Sequence, residues 1–265
     1  MRPPALCRST GGSGGAALLS ARAPAVRRRA GLAPARAAST EPAAAAPSSA
    51  STKTPPLPDS ELAALVAKLK ASVRQPGRGP LSGAAVVDAF VALEKQRLPA
   101  DGWREVAARP GARWRLVYTA PEKVATAASK RQPHGPATVF PLTACQKFDD
   151  SDTAPLFTNG VFVGGGLASL TFAGPFEVRG RLLQFDVCTM AGNVGPWKFS
   201  FPIKKGAPAT LGAYSPEDRK KLPFFSYIYA DDEMIVARGR SGGLAAWSRA
   251  DAGFLAETGV LRMYD

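Results

Sequence analysis

Two strand-like segments at opposite ends of the C-terminal half constrain this chain most. Trp114-Arg-Leu-Val-Tyr-Thr119 alternates Trp114, Leu116 and Tyr118 with Arg115, Val117 and Thr119, the two-residue period of a strand with one buried face. Well downstream, Phe224 to Leu244 reads as strand, turn, strand, Gly-rich turn and strand. The turns fall at Asp231-Asp232 and at Gly239 with Gly242-Gly243, residue types that supply the tight reversals and positive φ values of antiparallel hairpins.

Between these anchors the pattern stays β-rich, with runs at Thr138 to Leu142, Val161 to Val163, Leu167 to Phe172, Phe176 to Val187 and Trp197 to Ile203. In the last run Trp197, Phe199, Phe201 and Ile203 alternate with Lys198 and Ser200. Phe224 to Tyr229, Met234 to Arg238 and Leu244 to Arg249 complete about eight strands with no helical pattern between them. The expected fold is mainly β (α+β), with an antiparallel barrel or sandwich over residues 110–250 and a tail at 251–265. A closed barrel of about eight strands has room for its own side chains or for one small ligand. Trp114, Tyr118, Phe185, Trp197, Phe199 and Phe201 therefore either line an apolar cavity that accepts a prenyl or polyene chain or fill a dry core. Arg238 either stacks its guanidinium over Trp114 or lies on the surface of its hairpin.

The N-terminal part differs. Residues 1–40 hold Arg2, Arg8, Arg22, Arg27, Arg28, Arg29 and Arg36, with no acidic residue and no lysine, among abundant Ala, Ser, Gly and Pro. That is the composition of an organelle transit peptide, and the short Ala16 to Leu19 run is too brief for a secretory core. The 34 basic and 21 acidic residues give a net charge of +13; without the seven leader arginines the balance is 27 minus 21, or +6. Such an excess suits an anionic membrane surface or nucleic acid, but no nucleic-acid-binding motif accompanies it, so no nucleic acid partner is expected. Residues 41–58 have the Ala, Pro, Ser and Thr composition of a linker. Residues 59–98 read as a helical hairpin: Asp59 or Ser60 caps a helix with Leu62, Leu65, Val66, Leu69 and Val73 on one face. After Gln75 to Pro80, a second helix from Ser82 aligns Val86, Val87, Phe90 and Leu93. The first helix either lies in a membrane interface or packs on the barrel, where it could plug one end.

Catalytic chemistry finds few candidates. The single histidine, His134 in Pro-His-Gly-Pro, reads as an exposed turn residue rather than a general base. Gly164-Gly-Gly166 lacks the following Gly-Lys-Ser of a phosphate loop and reads as a turn or bulge. Asp231, Asp232 and Glu233 read as a solvated hairpin tip rather than a cation site, because adjacent carboxylates in a turn diverge. Cys145 and Cys188 are expected as two small apolar residues, with a disulfide as the alternative. No cofactor, no metal and no catalytic residue is assigned, and no apolar run is long enough to span a bilayer.

These segments resemble the plastid lipid-associated protein family, also called plastid fibrillins or plastoglobulins. The resemblance rests on Arg78-Gly79, Trp114-Arg-Leu-Val-Tyr-Thr119, and Tyr229-Ala-Asp-Asp-Glu-Met-Ile-Val-Ala-Arg-Gly239 followed by Gly243-Leu244. Ala112 stands where that family often has a glycine before the tryptophan, and residues 121–152 match weakly. The resemblance implies a lipocalin-like barrel in the chloroplast, at plastoglobules or thylakoids, that binds or coats lipids, prenylquinones or carotenoids without catalysis. The implied partners are an apolar isoprenoid or fatty acid and a plastid membrane or lipid-droplet surface. The alternative is a barrel enzyme acting on a similar lipid. Asp186 is the carboxylate to suspect for it, although its alternation with Phe185 and Val187 turns it outward.

Overall fold

The computed structural model of the chain describes residues 56–151 and 153–261. The expected transit peptide at 1–40, the linker except its last residues, and the end of the tail lie outside the described residues.

The helical hairpin forms as its spacing predicts. Helix α1 (Asp59–Arg74) starts behind Pro58, so neither Asp59 nor Ser60 is the cap; Asp59 and Glu61 instead place negative charge in the first turn. Helix α2 (Gly83–Gln96) is capped by Ser82, whose hydroxyl accepts from the Ala85 amide at 3.3 Å. Leu69 and Val73 of α1 and Val86, Val87, Phe90 and Leu93 of α2 are buried. Each large side chain there contributes about 1.5–3 kcal/mol by leaving water. A third helix, α3 (Trp103–Ala107), was not legible in the sequence.

Eight strands close the barrel: β1 (Trp114–Ala120), β3 (Thr143–Asp149), β4 (Leu156–Val163), β5 (Ala168–Arg179), β6 (Leu182–Phe185), β9 (Phe224–Ala230), β10 (Met234–Gly239) and β11 (Leu244–Arg249). Every neighbouring pair is antiparallel, in the order β4-β3-β1-β11-β10-β9-β6-β5, and β5 returns to β4 to close the ring. The first tryptophan-bearing strand does meet the last hairpin, with Trp114 opposite Arg249. Three strands lie off this ring: the two-residue β2 (Thr138–Val139) beside β1, and the ribbon of β7 (Thr189–Val194) and β8 (Trp197–Pro202) beside β5.

Several boundaries differ from the sequence expectation. The run from Leu167 to Val187 is a 12-residue strand that continues through Pro175, a tight turn in which Gly180 takes φ +54°, and the short strand β6. Strands β3 and β7 were not expected, and two short helices, α4 (Glu122–Ser129) and α5 (Pro216–Lys221), interrupt a stretch read as free of helix.

One buried cluster takes a side chain from every strand of the ring: Trp114, Phe148, Phe157, Phe176, Leu183, Tyr227, Ile235 and Trp247. This cluster is the barrel interior. A second cluster takes Val117, Tyr118 and Ala120 of β1 and residues of β9, β10 and β11, together with α1, α2 and α4. The helical hairpin thus covers one outer wall; it is α3, through Trp103 and Ala107, that joins the interior and closes an end. Outside β3 and β4, the C-terminal helix α6 (Ala252–Thr258) brings Phe254, Leu255 and the following Val260 onto Cys145 and Phe162. Gly259 at φ +71° makes this docking possible, since a Cβ there would lie 2.6 Å from the Gly165 carbonyl oxygen.

Candidate functional site: an apolar shelf beside a filled barrel

Of the residues expected around a ligand, Trp114 and Phe185 are inside the barrel, and there they pack against protein. Phe185 sits 4.6 Å from Phe157 and 5.4 Å from Phe225, ring centre to ring centre. Phe148 touches Phe157 and Phe176, both at 5.3 Å, and Phe225 meets Trp247 edge-on at 5.3 Å. Trp114 is fully buried and donates its indole N–H to the Ala107 carbonyl at 2.9 Å, tying α3 into the interior. These separations are those of direct aromatic contact. The dry-core alternative describes this region.

Tyr118 and Arg238 are placed elsewhere. A bulge between Leu116 and Tyr118 breaks the alternation of β1 and turns Tyr118 toward the helices, where its hydroxyl accepts from the Gly77 amide at 3.0 Å. Arg238 does not stack on Trp114. It forms a two-pronged ion pair with Glu94 of α2, Nε to Oε1 at 2.7 Å and Nη2 to Oε2 at 2.6 Å, and donates to the Gly242 carbonyl. The cation over Trp114 is Arg249, at 5.6 Å.

Trp197, Phe199 and Phe201 lie outside the closed ring because β5 divides its partners. Its C-terminal residues, Phe176 to Arg179, pair with β6 and close the barrel, whereas Ala168 to Ala173 pair with β7, which carries β8 away. Residues opposite one another share a face. Three rows then cross the splayed sheet: Val163, Ala168, Val194, Trp197; Val161, Leu170, Gly192, Phe199; and Asn159, Phe172, Met190, Phe201. The third row runs back through Gln146 to Trp114, and the next row, Phe157 with Gly174, belongs to the filled interior. The shelf is therefore the barrel's inner face carried beyond its rim, about 14 Å across four strands.

Nothing among the described residues covers its outer part. Trp197 is 79 % exposed and Val194 66 %, and Val163, Phe199 and Phe201 are exposed as well. The Phe199 ring lies over Gly192, where an added Cβ would come within 2.8 Å of it, and stacks on Phe201 at 5.8 Å. A contiguous exposed apolar face with a tryptophan at its edge is the signature of an interaction surface. Leu170, Phe172 and Met190 belong to it and were missed, because Ala191 and Gly192 in Thr-Met-Ala-Gly-Asn-Val blur the two-residue period of β7.

The suspected carboxylate is a separate feature. Asp186 faces away from the interior as its alternation predicts, yet it is buried, because the segment after β8 folds over it. Lys204 reaches it at 2.5 and 2.8 Å, Tyr214 donates to it at 2.7 Å, and the Cys188 thiol lies 3.5 Å away. A cavity of about 460 Å³ borders this cluster. Burial pushes the Asp186 carboxyl up, but the Lys204, Tyr214 and Val187 donors outweigh it and hold the group below the usual carboxylate range. Burial and the neighbouring carboxylate raise both Cys188 and Tyr214, although the Tyr214 hydrogen bond itself lowers Cys188. The carboxylate is thus ionised and paired, and the thiol and phenol keep their protons near neutral pH, an arrangement suited to a latch.

The other candidates are structural. The three carboxylates of the β9–β10 turn are all paired with cations: Asp231 with Lys70, Glu233 with Arg74 and, at 3.8 Å, with Lys70, and Asp232 with Arg109 at 2.8 Å. Asp231 also accepts the Glu233 and Met234 amides at 3.0 Å, so the tip is exposed at Asp232 and partly so at Glu233, as expected, but is also tied to α1 through Lys70 and Arg74. Among the described residues no group of three or more His, Cys, Asp or Glu could hold a metal ion. His134 is not free in its turn: one ring nitrogen contacts Asp88 of α2 and the other the Gly135 carbonyl, each at 2.9 Å. These partners raise its pKa, the Gly135 carbonyl first. Gly164, Gly165 and Gly166 all take positive φ in the β4–β5 turn. Cys145 is buried and its thiol pushed up to about 12 by that burial; Cys145 and Cys188 are unbonded to each other. No helix among the described residues is long and apolar enough to cross a membrane.

Comparison of the chain with family models, curated proteins and solved structures gave no match.

Proposed function

We propose that this protein is a non-catalytic, peripheral lipid-associated protein that docks its apolar shelf onto a lipid surface. The single observation behind this reading is the uncovered apolar face of β7 and β8, edged by Trp197. Because the interior is filled, this reading puts the lipid contact on the open sheet beside the barrel rather than inside it. Outside the leader the chain carries 27 basic against 21 acidic residues, and this positive balance favours a surface with anionic headgroups. Burying each exposed aromatic is worth about 1.5–3 kcal/mol, so a few of them together suffice for reversible attachment. The plastid setting, with isoprenoid- or acyl-rich membrane or droplet surfaces as partner, follows from the leader composition and from the resemblance in β1 and β9 to β11.

The rival reading, an enzyme acting on an apolar lipid, needs a reactive group beside an apolar cavity. Asp186 borders a cavity, but it is neutralised by Lys204 and lies on the far side of the sheet from the interior. The docking reading has the stronger support.

The test is vesicle flotation of the full chain with phosphatidylcholine vesicles containing phosphatidylglycerol. Of the four tryptophans, Trp103, Trp114 and Trp247 are buried and Trp197 is exposed, so docking shifts the emission of Trp197 alone to the blue. The expected outcome is co-flotation with a blue shift, both lost in a Trp197→Ser, Phe199→Ser, Phe201→Ser variant. Equal flotation of that folded variant, or no flotation of the parent protein, refutes the proposal.

A further inference from the structure

The face of the shelf concerns side chains; the edge of β8 concerns the main chain, and it is open. β8 is the last strand of its sheet and pairs only with β7, and all six of its residues are exposed. The β7–β8 hairpin has a two-residue loop, Gly195-Pro196, so the flanking pair Val194 and Trp197 exchanges hydrogen bonds. Main-chain groups then alternate along β8, with those of the odd-numbered residues turned toward β7. The Ile203 amide, two residues on from Phe201, keeps this phase by donating to the Cys188 carbonyl at 2.8 Å. The N–H and C=O groups of Lys198 and Ser200 consequently face outward. Pro202, which has no N–H to lose, shares that outward phase, the position in which an edge strand tolerates proline.

We propose that two copies of this chain pair through β8, antiparallel and centred on Phe199, to continue the sheet across a two-fold axis. The sequence Trp-Lys-Phe-Ser-Phe is self-complementary in that register. Phe199 faces Phe199 of the second copy, and Trp197 faces the second copy's Phe201, so the aromatic residues meet only aromatic residues on the shelf face. On the other face Lys198 lies opposite Ser200, and the two lysines sit diagonally, about 7–8 Å apart, which avoids direct like-charge opposition. Lys198 and Ser200 exchange both of their outward hydrogen bonds with the second copy, and the central Phe199 pair is the close, non-hydrogen-bonded kind with Cα atoms about 4.5 Å apart. The surface is isologous, as a two-fold dimer requires. Any other in-phase register loses aromatic pairs or brings the lysines together. The dimer joins the two shelves into one apolar face twice as wide.

Sedimentation of the full chain over a concentration series, without lipid or detergent, tests the pairing. The parent protein is expected to dimerise reversibly. Ser200→Pro removes an outward N–H and leaves the β7 side intact, so it is expected to weaken self-association more than about tenfold while retaining the parent circular dichroism. Phe199→Cys tests the register independently of that variant: mild oxidation is expected to give a disulfide between two copies at position 199, identified by mass spectrometry of the linked peptide, because the close pair brings the Cβ atoms within bonding range. Trp197→Cys, whose neighbour across the axis is Phe201, is expected not to link to itself. A monomeric parent protein, undiminished association of Ser200→Pro, or linkage of Trp197→Cys in place of Phe199→Cys overturns the proposal.

Discussion

A solid interior and a ligand cavity respond in opposite ways to losing an aromatic ring, and Phe185 separates them. Its ring is buried and meets Phe157 at 4.6 Å and Phe225 at 5.4 Å. Phe185→Ala removes about 1.5–3 kcal/mol of transfer free energy and two ring contacts of about 0.5–1.5 kcal/mol each. With the cavity left behind, the total falls near the upper part of the usual range, about 3–5 kcal/mol. For a folded part of about 200 residues this corresponds to a drop in Tm of roughly 6–20 °C. Phe201→Ala serves as the internal comparison: the side chain is of the same kind and sits on the same face of the sheet, but it is exposed, and its loss should cost less than about 1 kcal/mol. Both are measured by urea unfolding and thermal melts in lipid-free buffer. A Phe185→Ala loss below about 1 kcal/mol, or equal losses at the two positions, would refute a filled barrel with an open shelf.

Two further predictions concern pH. His134 is the only histidine, so one imidazole signal in an NMR titration reports it; its pKa lies above 6.5, and Asp88→Asn lowers it. Because the folded value is raised, the stability it contributes is complete below the unfolded value and fades as pH rises through the folded one; a wild-type titration at or below about 6.5 would contradict the Asp88 contact. Asp186 behaves in the opposite sense: its folded value is depressed, so its contribution is present above about pH 4 and is lost as pH falls through the folded value. Asp186→Asn is expected to weaken the protein near neutral pH and to flatten this acid limb in urea unfolding, whereas parallel pH profiles for the two proteins would count against the Lys204 pairing.

The helical hairpin was legible because Leu69 and Val73, and Val86, Phe90 and Leu93, recur with the helical period and meet a single wall. The β9 to β11 meander was legible because its turns carry the residues that tight reversals demand. Strands β3 and β7 were not: Ala144, Cys145 and Gln146 are all buried, and Ala191 and Gly192 carry too little side chain to mark a face. Tyr118 was assigned to the wrong side because a bulge shifts the phase of β1 by one residue, and strict counting cannot see a bulge. Lys204 and Tyr214 reach Asp186 from a loop far along the chain, and no local signal announces such a meeting.

The amino-acid order alone determined which side chains of each strand look the same way, since that follows from backbone geometry over neighbouring residues. It therefore put Trp197, Phe199 and Phe201 on one side of β8, and the structure agrees. Whether that side is covered was decided only in three dimensions, where β5 gives half its edge to β6 and half to β7. The same alternation of aromatic and polar residues is written by a strand that closes a core and by one that carries its apolar face out into water. Strand period is a local property, whereas burial depends on which distant segment arrives to complete the wall.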